Sequence, residues 1–209
     1  MNIRIETQRL ILKNYTANEL EDVHKLKSDP MVWKFSTKIA TTKMEDSKIY
    51  LQSILKNYTE SKCDFQALFL RDTGEYIGEA GVLSFNNQNN RTIVGYNLLH
   101  RYWGNGYATE ITKGIIKHSF EVEKVERIEA FVCDGNVSSR KVLEKSGFIQ
   151  EGLLRNFAYI NNRYINVYYY GIIKDDYIEW WNSNSWNAGF LRNFDTIEIL
   201  IKYLNRNYK

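Results

Sequence analysis

Proline occurs once in this chain and cysteine twice. Cys63 and Cys133 stand far apart, in no Cys-x-x-Cys or His-paired spacing, which argues against a disulfide framework and a zinc site and implies reduced thiols in a cytoplasmic protein. Charge of one sign is also missing. Lys and Arg number 28 against 25 Asp and Glu, and the resulting +3 is too small and too dispersed for a nucleic-acid footprint. No apolar run approaches the ~20 residues that cross a bilayer, and Met1-Asn2-Ile3-Arg4-Ile5-Glu6 is no signal peptide. What remains is 209 residues, 44% of them hydrophobic, enough for one well-buried core and no membrane partner.

Hydrophobic periodicity divides the chain. Leu10-Ile11-Leu12 reads as a first strand. Thr16-x-x-Glu19 has capping-box spacing, so a helix is expected from Ala17 to about Lys27, where Asp29-Pro30 stops it. Thr42-x-x-Glu45 repeats the signal ahead of a helix carried by Ile49, Leu51, Ile54, Leu55 and Tyr58. A hairpin follows, residues 65–70 and 76–85 about the turn Asp72-Thr73-Gly74-Glu75. Residues 93–99 and 127–133 are strands on either side of a helix over 109–120. A further helix spans 138–145 with Gly147 in the C′ position, and extended chain resumes at Phe148-Ile149 and over 164–173. The order β, α, α, β, β, β, α, β, α, β, β is a mixed α/β layout, expected to form one domain over residues 1–175. In the extension 176–209, Trp180-Trp181, Trp186, Phe190 and Phe194 crowd a polar stretch, and Asp195-x-x-Glu198 caps a last helix. Aromatic surface of that extent is rarely left in water, so the extension is expected to fold over the domain, make a dimer contact or cover a substrate.

The stretch His100-Arg101-Tyr102-Trp103-Gly104-Asn105-Gly106-Tyr107-Ala108-Thr109-Glu110 joins a buried strand to the central helix. Two glycines one residue apart let the backbone turn sharply and leave its N–H groups uncovered. Such groups at the positive end of a helix dipole form a phosphate site. The competing reading is a Gly-x-Gly that merely shapes a strand-to-helix turn.

Order of elements and this stretch together resemble the GNAT superfamily of N-acetyltransferases. Arg101-x-x-Gly104-x-Gly106 is similar to the family's Arg/Gln-x-x-Gly-x-Gly/Ala, whose amides bind the pyrophosphate of acetyl-CoA. Asn136-Val137-x-Ser139, followed by Glu144-Lys145-Ser146-Gly147-Phe148 and Glu151-Gly152, resembles a second family segment, whose helix flanks the pantetheine arm. Thr7-x-Arg9-Leu10-Ile11-Leu12 and Gly81-Val82-Leu83-Ser84-Phe85 extend the likeness over residues 3–173, closest to the branch that includes the ribosomal-protein alanine N-acetyltransferases. The resemblance implies a single GNAT-like domain: a central mixed, mostly antiparallel twisted sheet of about seven strands, flanked by helices and splayed between the fourth and fifth. It implies acetyl-CoA as cosubstrate, held by Leu99, Arg101, Trp103, Gly104, Asn105, Gly106, Tyr107, Ala108, Thr109, Asn136 and Ser139, and no metal.

Direct acyl transfer asks for a neutral amine, a donor to the oxyanion and an acid for the departing thiolate. The resemblance implies a backbone N–H near Leu98 as the oxyanion donor. Leu143 stands where many relatives place a tyrosine acid, which points to Ser139 as the substitute unless Ser139 is only a first-turn serine of its helix. At the two base positions familiar in the family stand Phe131 and Ala158. Glu79 is then either a base acting through water or a plain surface glutamate, while a terminal amine of pKa near 8 is partly neutral without help. Tyr96 and Trp103 line an acceptor pocket or pack in the core, and Lys141 and Lys145 meet CoA phosphates or sit on a solvated helix face. His24 is expected at the surface, His118 in packing and His100 near CoA if anywhere. The implied acceptor is a primary amine, by branch a protein N-terminus. A polyamine, amino acid or aminoglycoside, around which Glu79, Glu129 and Glu151 would gather, is the alternative within the enzyme class, and a silent acetyl-CoA-binding module is the alternative outside it. A monomer and a homodimer are both open.

Overall fold

One open sheet of eight strands organises the computed structural model, which describes residues 3–36, 39–160 and 162–185. In chain order the elements are β1 (Arg4–Glu6), β2 (Leu10–Lys13), α1 (Leu20–Ser28), α2 (Pro30–Trp33), α3 (Met44–Thr59), β3 (Gln66–Leu70), β4 (Tyr76–Asn86) and β5 (Arg91–Leu98). After them come α4 (Tyr107–Glu121), β6 (Arg127–Cys133), α5 (Val137–Lys145), β7 (Ile149–Ile160), β8 (Arg163–Ile173) and α6 (Lys174–Ser185). Across the sheet the order is β1-β2-β3-β4-β5-β6-β8-β7, antiparallel at every join except β5 with β6. The strand beyond the expected seven is β1, too short at three residues to leave a period in the sequence, and it pairs Ile5 with Leu12.

Contacts divide the chain into Met1–Lys174 and Asp175–Lys209. All eight strands and α1 to α5 lie in the first unit. Trp186, Phe190, Phe194 and the expected last helix lie outside the described residues, as do the side chains of Trp180 and Trp181. Among the described residues no helix is long and apolar enough to cross a membrane.

Local chemistry accounts for the helix starts, with two departures from the expected pattern. The Thr16/Glu19 capping box forms, opening a turn of 3₁₀ helix over Ala17–Glu19 ahead of α1. Pro30 ends α1 and also begins α2, where its preset φ suits a first helical position and Asp29 Oδ1 accepts from Met31 N–H at 2.9 Å. The Thr42/Glu45 box does not form: α3 starts one residue later, and Thr41 rather than Thr42 takes the local bonds, accepting from Lys43 N–H at 3.2 Å and donating to Asp46. On one face of the sheet Val23, Leu26, Trp33, Leu51 and Ile54 of α1 to α3 pack over Ala67 and Tyr76. On the other, α4 lies on β1, β2, β4 and β5, and α5 on β6 and β7. Ile111, Ile115, Ile116 and Phe120 form the buried stripe of α4, worth about 1.5–3 kcal/mol for each side chain taken out of water.

The pairing that matters for function is short and is the sheet's one parallel join. β5 and β6 are matched only at Arg91/Arg127, Thr92/Ile128 and Ile93/Glu129, and from Val94 and Ala130 onward the two strands part.

Candidate active site

A cavity of about 500 Å³ opens where β5 and β6 separate, between residues 94–98 and 130–133, a volume usual for a small-molecule site. One side is walled by α4 and α5, the other by Val32 of α2 and by Phe35 and Ser36 just after it. The gap therefore communicates with both faces of the sheet. Leu99 N–H donates to Ile77 O at 3.0 Å, so the neighbouring pair Gly78/Leu98 is of the kind that exchanges no ladder bonds. The N–H of Leu98 thus turns away from β4, toward the parted strand.

The glycine loop closes one end of this gap. Gly104 and Gly106 sit at φ +78° and +80°, left-handed values that side-chain-bearing residues adopt at a cost. Trp103 Nε1 donates to Leu98 O at 2.8 Å, tying the loop to the strand end, and Asn105 Nδ2 donates to the carbonyls of Tyr102 and Trp103. Gly106 is the N-cap of α4 and has no side chain to cap it. The first α4 bond is Glu110 N–H to Gly106 O, so the N–H groups of Tyr107, Ala108 and Thr109 have no helical acceptor, and these residues line the cavity. Three such donors at a positive helix end have the chemistry of an anion cradle.

The loop is held from behind by residues that sequence reasoning noted only as family matches. Glu110 accepts from Thr7 Oγ1 at 2.7 Å, Arg9 N–H at 2.8 Å and Arg9 Nε at 2.6 Å, while Arg9 Nη1 donates to Asn105 O at 3.1 Å. Burial opposes the charge on Glu110, but these donors from Thr7 and Arg9 outweigh it and hold the carboxyl below the ordinary value of 4.5. Glu129 is likewise partly opposed by burial and held down by Tyr169, Arg91 and Arg127. Both carboxyls take up protons at higher pH in the unfolded chain than in the folded one. The stability that these two carboxyls contribute is therefore complete above about pH 5 and is lost as the pH drops through their folded values. In scanning calorimetry from pH 7 to 3, Glu110→Gln should start from a lower Tm and show a shallower acid decline than the parent; an unchanged slope would remove Glu110 from that account.

On the opposite wall, Tyr96 Oη and Ser139 Oγ lie 2.8 Å apart, joining β5 to α5 across the gap. Burial pushes the Tyr96 phenol up to about 12, offset only in part by Ser139, so it stays neutral at physiological pH. Asn136 caps α5, its Oδ1 accepting from Ser139 N–H at 3.1 Å, and both side chains line the cavity. Leu143, buried, lines it where a tyrosine acid was sought.

Glu79 is not the surface glutamate of the bland alternative. It is 0% exposed, on the face covered by α1 to α3. It accepts from Tyr50 Oη at 2.9 and 3.0 Å, Tyr15 Oη at 3.1 Å and Asn97 Nδ2 at 2.8 Å, and Tyr15 Oη meets Tyr76 Oη at 2.7 Å. Burial raises the Tyr15, Tyr50 and Tyr76 phenols well above 10, which keeps them donors. Glu79 itself does not reach the cavity wall; Asn97, which does, stands in front of it. No local pattern could have announced this cluster, whose members come from distant parts of the chain.

Of the expected cofactor set, Trp103, Gly104, Gly106, Tyr107, Ala108, Thr109, Asn136 and Ser139 line the cavity, together with Leu98. Three do not. Leu99 is buried in the apolar cluster beneath α1 to α3, Arg101 turns to Glu75 at 3.0 Å and over the Tyr102 ring, and the Asn105 side chain is spent on the loop's own carbonyls. Lys141 and Lys145 line the cavity. Glu79, Glu129 and Glu151 do not gather: Arg127 binds both Glu129 and Glu151, Arg91 also binds Glu129, and Glu79 belongs to the tyrosine cluster. His100 packs edge-on against Trp103, His118 meets Glu123, and His24 is half-buried, linking α1 to Ser47 of α3. Phe131 lines the gap, and Ala158 pairs with Ile165 well along β7.

The family model for the acetyltransferase (GNAT) domain matches residues 9–149, a span that holds the parted strands, the glycine loop and α5. The chain belongs to the GNAT family of acetyltransferases. It is 30% identical over 171 residues to p20 of Bacillus licheniformis, described as an uncharacterised N-acetyltransferase, covering 82% of this chain and 96% of that one. Among solved structures, RimL, a ribosomal L7/L12 alpha-N-protein acetyltransferase in complex with coenzyme A, superposes with a TM-score of 0.75 at 18% identity over 83% of this chain and 99% of that one. The spermidine N-acetyltransferase of Vibrio cholerae, with CoA and spermine, gives 0.73 at 17% identity over 82% and 99%. Both establish a shared fold.

Proposed function

We propose that this acetyltransferase moves the acetyl group of acetyl-CoA to a primary amine, with a protein N-terminal α-amine as the favoured acceptor. The observation that carries the reading is a gap open to both faces of the sheet, with uncapped N–H groups at one end and the Tyr96/Ser139 pair on its wall. Acetyl-CoA fits the residues present. The N–H groups of Tyr107, Ala108 and Thr109 suit its pyrophosphate, Lys141 and Lys145 add positive charge nearby, and the parted strands leave room for an extended arm. In this reading Leu98 N–H meets the carbonyl oxygen as it gains charge, and the Ser139 hydroxyl protonates the sulfur as the C–S bond breaks. The amine, arriving neutral, forms the new C–N bond and sheds its extra proton to solvent, from which the Ser139 oxygen regains the one it gave to the sulfur.

Resemblance to the ribosomal-protein branch supports an N-terminal acceptor, and the fold likeness to a spermidine acetyltransferase supports a polyamine as the second reading. One experiment separates them. Purified chain is titrated with acetyl-CoA in a calorimeter, and CoA release is followed by thiol detection against alanine- and serine-terminated peptides, spermidine and an aminoglycoside. Binding plus peptide-dependent release is the expected result. Release with spermidine alone moves the acceptor to the polyamines; binding without release across the panel leaves a silent acetyl-CoA module, and no binding sinks the proposal.

A further inference from the structure

We infer that Asn97 orients the acceptor amine through its side-chain carbonyl and that Glu79 is the residue that positions Asn97 to do so, an inference that rests on the amine-acetylating reading of the gap. Side chains alternate along a strand, so Asn97 faces the side of the sheet opposite to Tyr96 and Leu98. Its register partner Glu79 and, beyond, Ala67 share that face, the one covered by α1 to α3. Asn97 lines the cavity on this side, where Val32, Phe35 and Ser36 form the other lip. An acceptor entering from the face away from α4 and α5 meets Asn97 before it meets the backbone of Leu98.

The direction of the Asn97 amide follows from hydrogen-bond bookkeeping. Glu79 accepts on both oxygens, from Tyr15, Tyr50 and Asn97. Tyr15 donates to Glu79, so in its contact with Tyr76 it must be the acceptor. Tyr15, Tyr50 and Asn97 thus point their hydrogens at the carboxyl group, and Tyr76 donates to Tyr15 behind them. Rotating the Asn97 amide by half a turn would set its oxygen against a Glu79 oxygen, an unfavourable contact in a buried place. The NH₂ edge is therefore committed inward, and the carbonyl oxygen is the polar atom left to a ligand. A carbonyl takes one N–H of an amine, and holding that N–H fixes where the nitrogen lone pair points. Orientation of this kind is what an attack on a thioester needs. Stability alone is a poor reason for the cluster, since a buried carboxyl group with its partners is often no better than apolar residues of equal volume.

The test uses the full chain with acetyl-CoA, spermidine and an alanine-terminated hexapeptide. Asn97→Leu, close in shape and without polar atoms, should raise the acceptor KM or lower kcat so that acceptor kcat/KM falls about tenfold or more, while the Kd for acetyl-CoA stays put. Glu79→Gln should produce a smaller loss in the same parameter, and it should add almost nothing in the Asn97→Leu background, because it acts through Asn97. Calorimetric titration of each amine into CoA-loaded protein gives a readout independent of turnover. Wild-type binding that is lost in Asn97→Leu supports the inference even where turnover fails, an outcome that would overturn only the acetylation reading. Unchanged acceptor kinetics and binding in Asn97→Leu overturn the inference and leave acetylation standing. Additive losses, or loss of acetyl-CoA binding along with the acceptor, mark the cluster as structural, and a wild-type chain that binds neither amine overturns both.

Discussion

Gly106→Val weakens acetyl-CoA binding by about two orders of magnitude and costs the fold little. Space is not the reason. A Cβ at position 106 would meet only the end of Arg9, at 3.5 Å, and one at position 104 would meet nothing within 4 Å. Conformation is the reason: both residues hold φ near +80°, where a β-branched side chain is strained by about 1–2 kcal/mol or more. The loop relieves that strain by rotating, and the N–H groups that open α4 no longer converge. A hydrogen bond to a charged group contributes about 1.5–3 kcal/mol, so losing one of them outright, or weakening two, yields the hundredfold rise in Kd. Gly104→Val should act in the same direction. The measurement is calorimetric titration of acetyl-CoA beside a thermal melt, and a Kd within threefold of the parent at unchanged Tm would show that the glycines only shape a turn.

The glycine turn and the open start of α4 were legible in the sequence because they are local. Gly104, Gly106 and the start of α4 lie within a few residues of one another, and the strand before them and the helix after them carry clear periods. The same holds for the end of α5. Gly147 adopts φ +94° while Phe148 N–H reaches Leu143 O, the double-bonded glycine cap that its position suggested. Where sequence and structure part, the determinant is long-range. β1 is three residues long and exists because β2 offers it a partner. The resemblance implies Arg101 at the cofactor, and its guanidinium donates to Glu75, in the turn before β4, a partner that the motif does not announce. Glu79 had no visible partner in its own segment, and its buried setting is made by Tyr15, Tyr50 and Asn97, from three other parts of the chain. His24 was expected at the surface for the same reason, its partner Ser47 being a helix away.

Ser139→Ala lowers kcat by about a hundredfold while acetyl-CoA still binds, the size of loss typical of removing a general acid. The substitution is clean because the two readings of Ser139 use different atoms. As a first-turn residue of α5 it gives its backbone N–H to Asn136 Oδ1, a bond that alanine keeps. As an acid it gives the hydroxyl hydrogen, which alanine lacks. A fall in turnover at constant Tm therefore assigns catalysis to the hydroxyl, and full turnover assigns Ser139 to the cap alone. Tyr96→Phe should cost less, because the serine hydroxyl remains and only its 2.8 Å partner is gone. The pH profile adds a second check. With the Tyr96 phenol at about 12, no acid in this pair is lost below pH 10, so kcat/KM for an α-amine acceptor should climb through about pH 8 as the amine loses its proton and then stay level. A descending limb between pH 8 and 10 would mean that a different group, one that titrates there, protonates the thiolate.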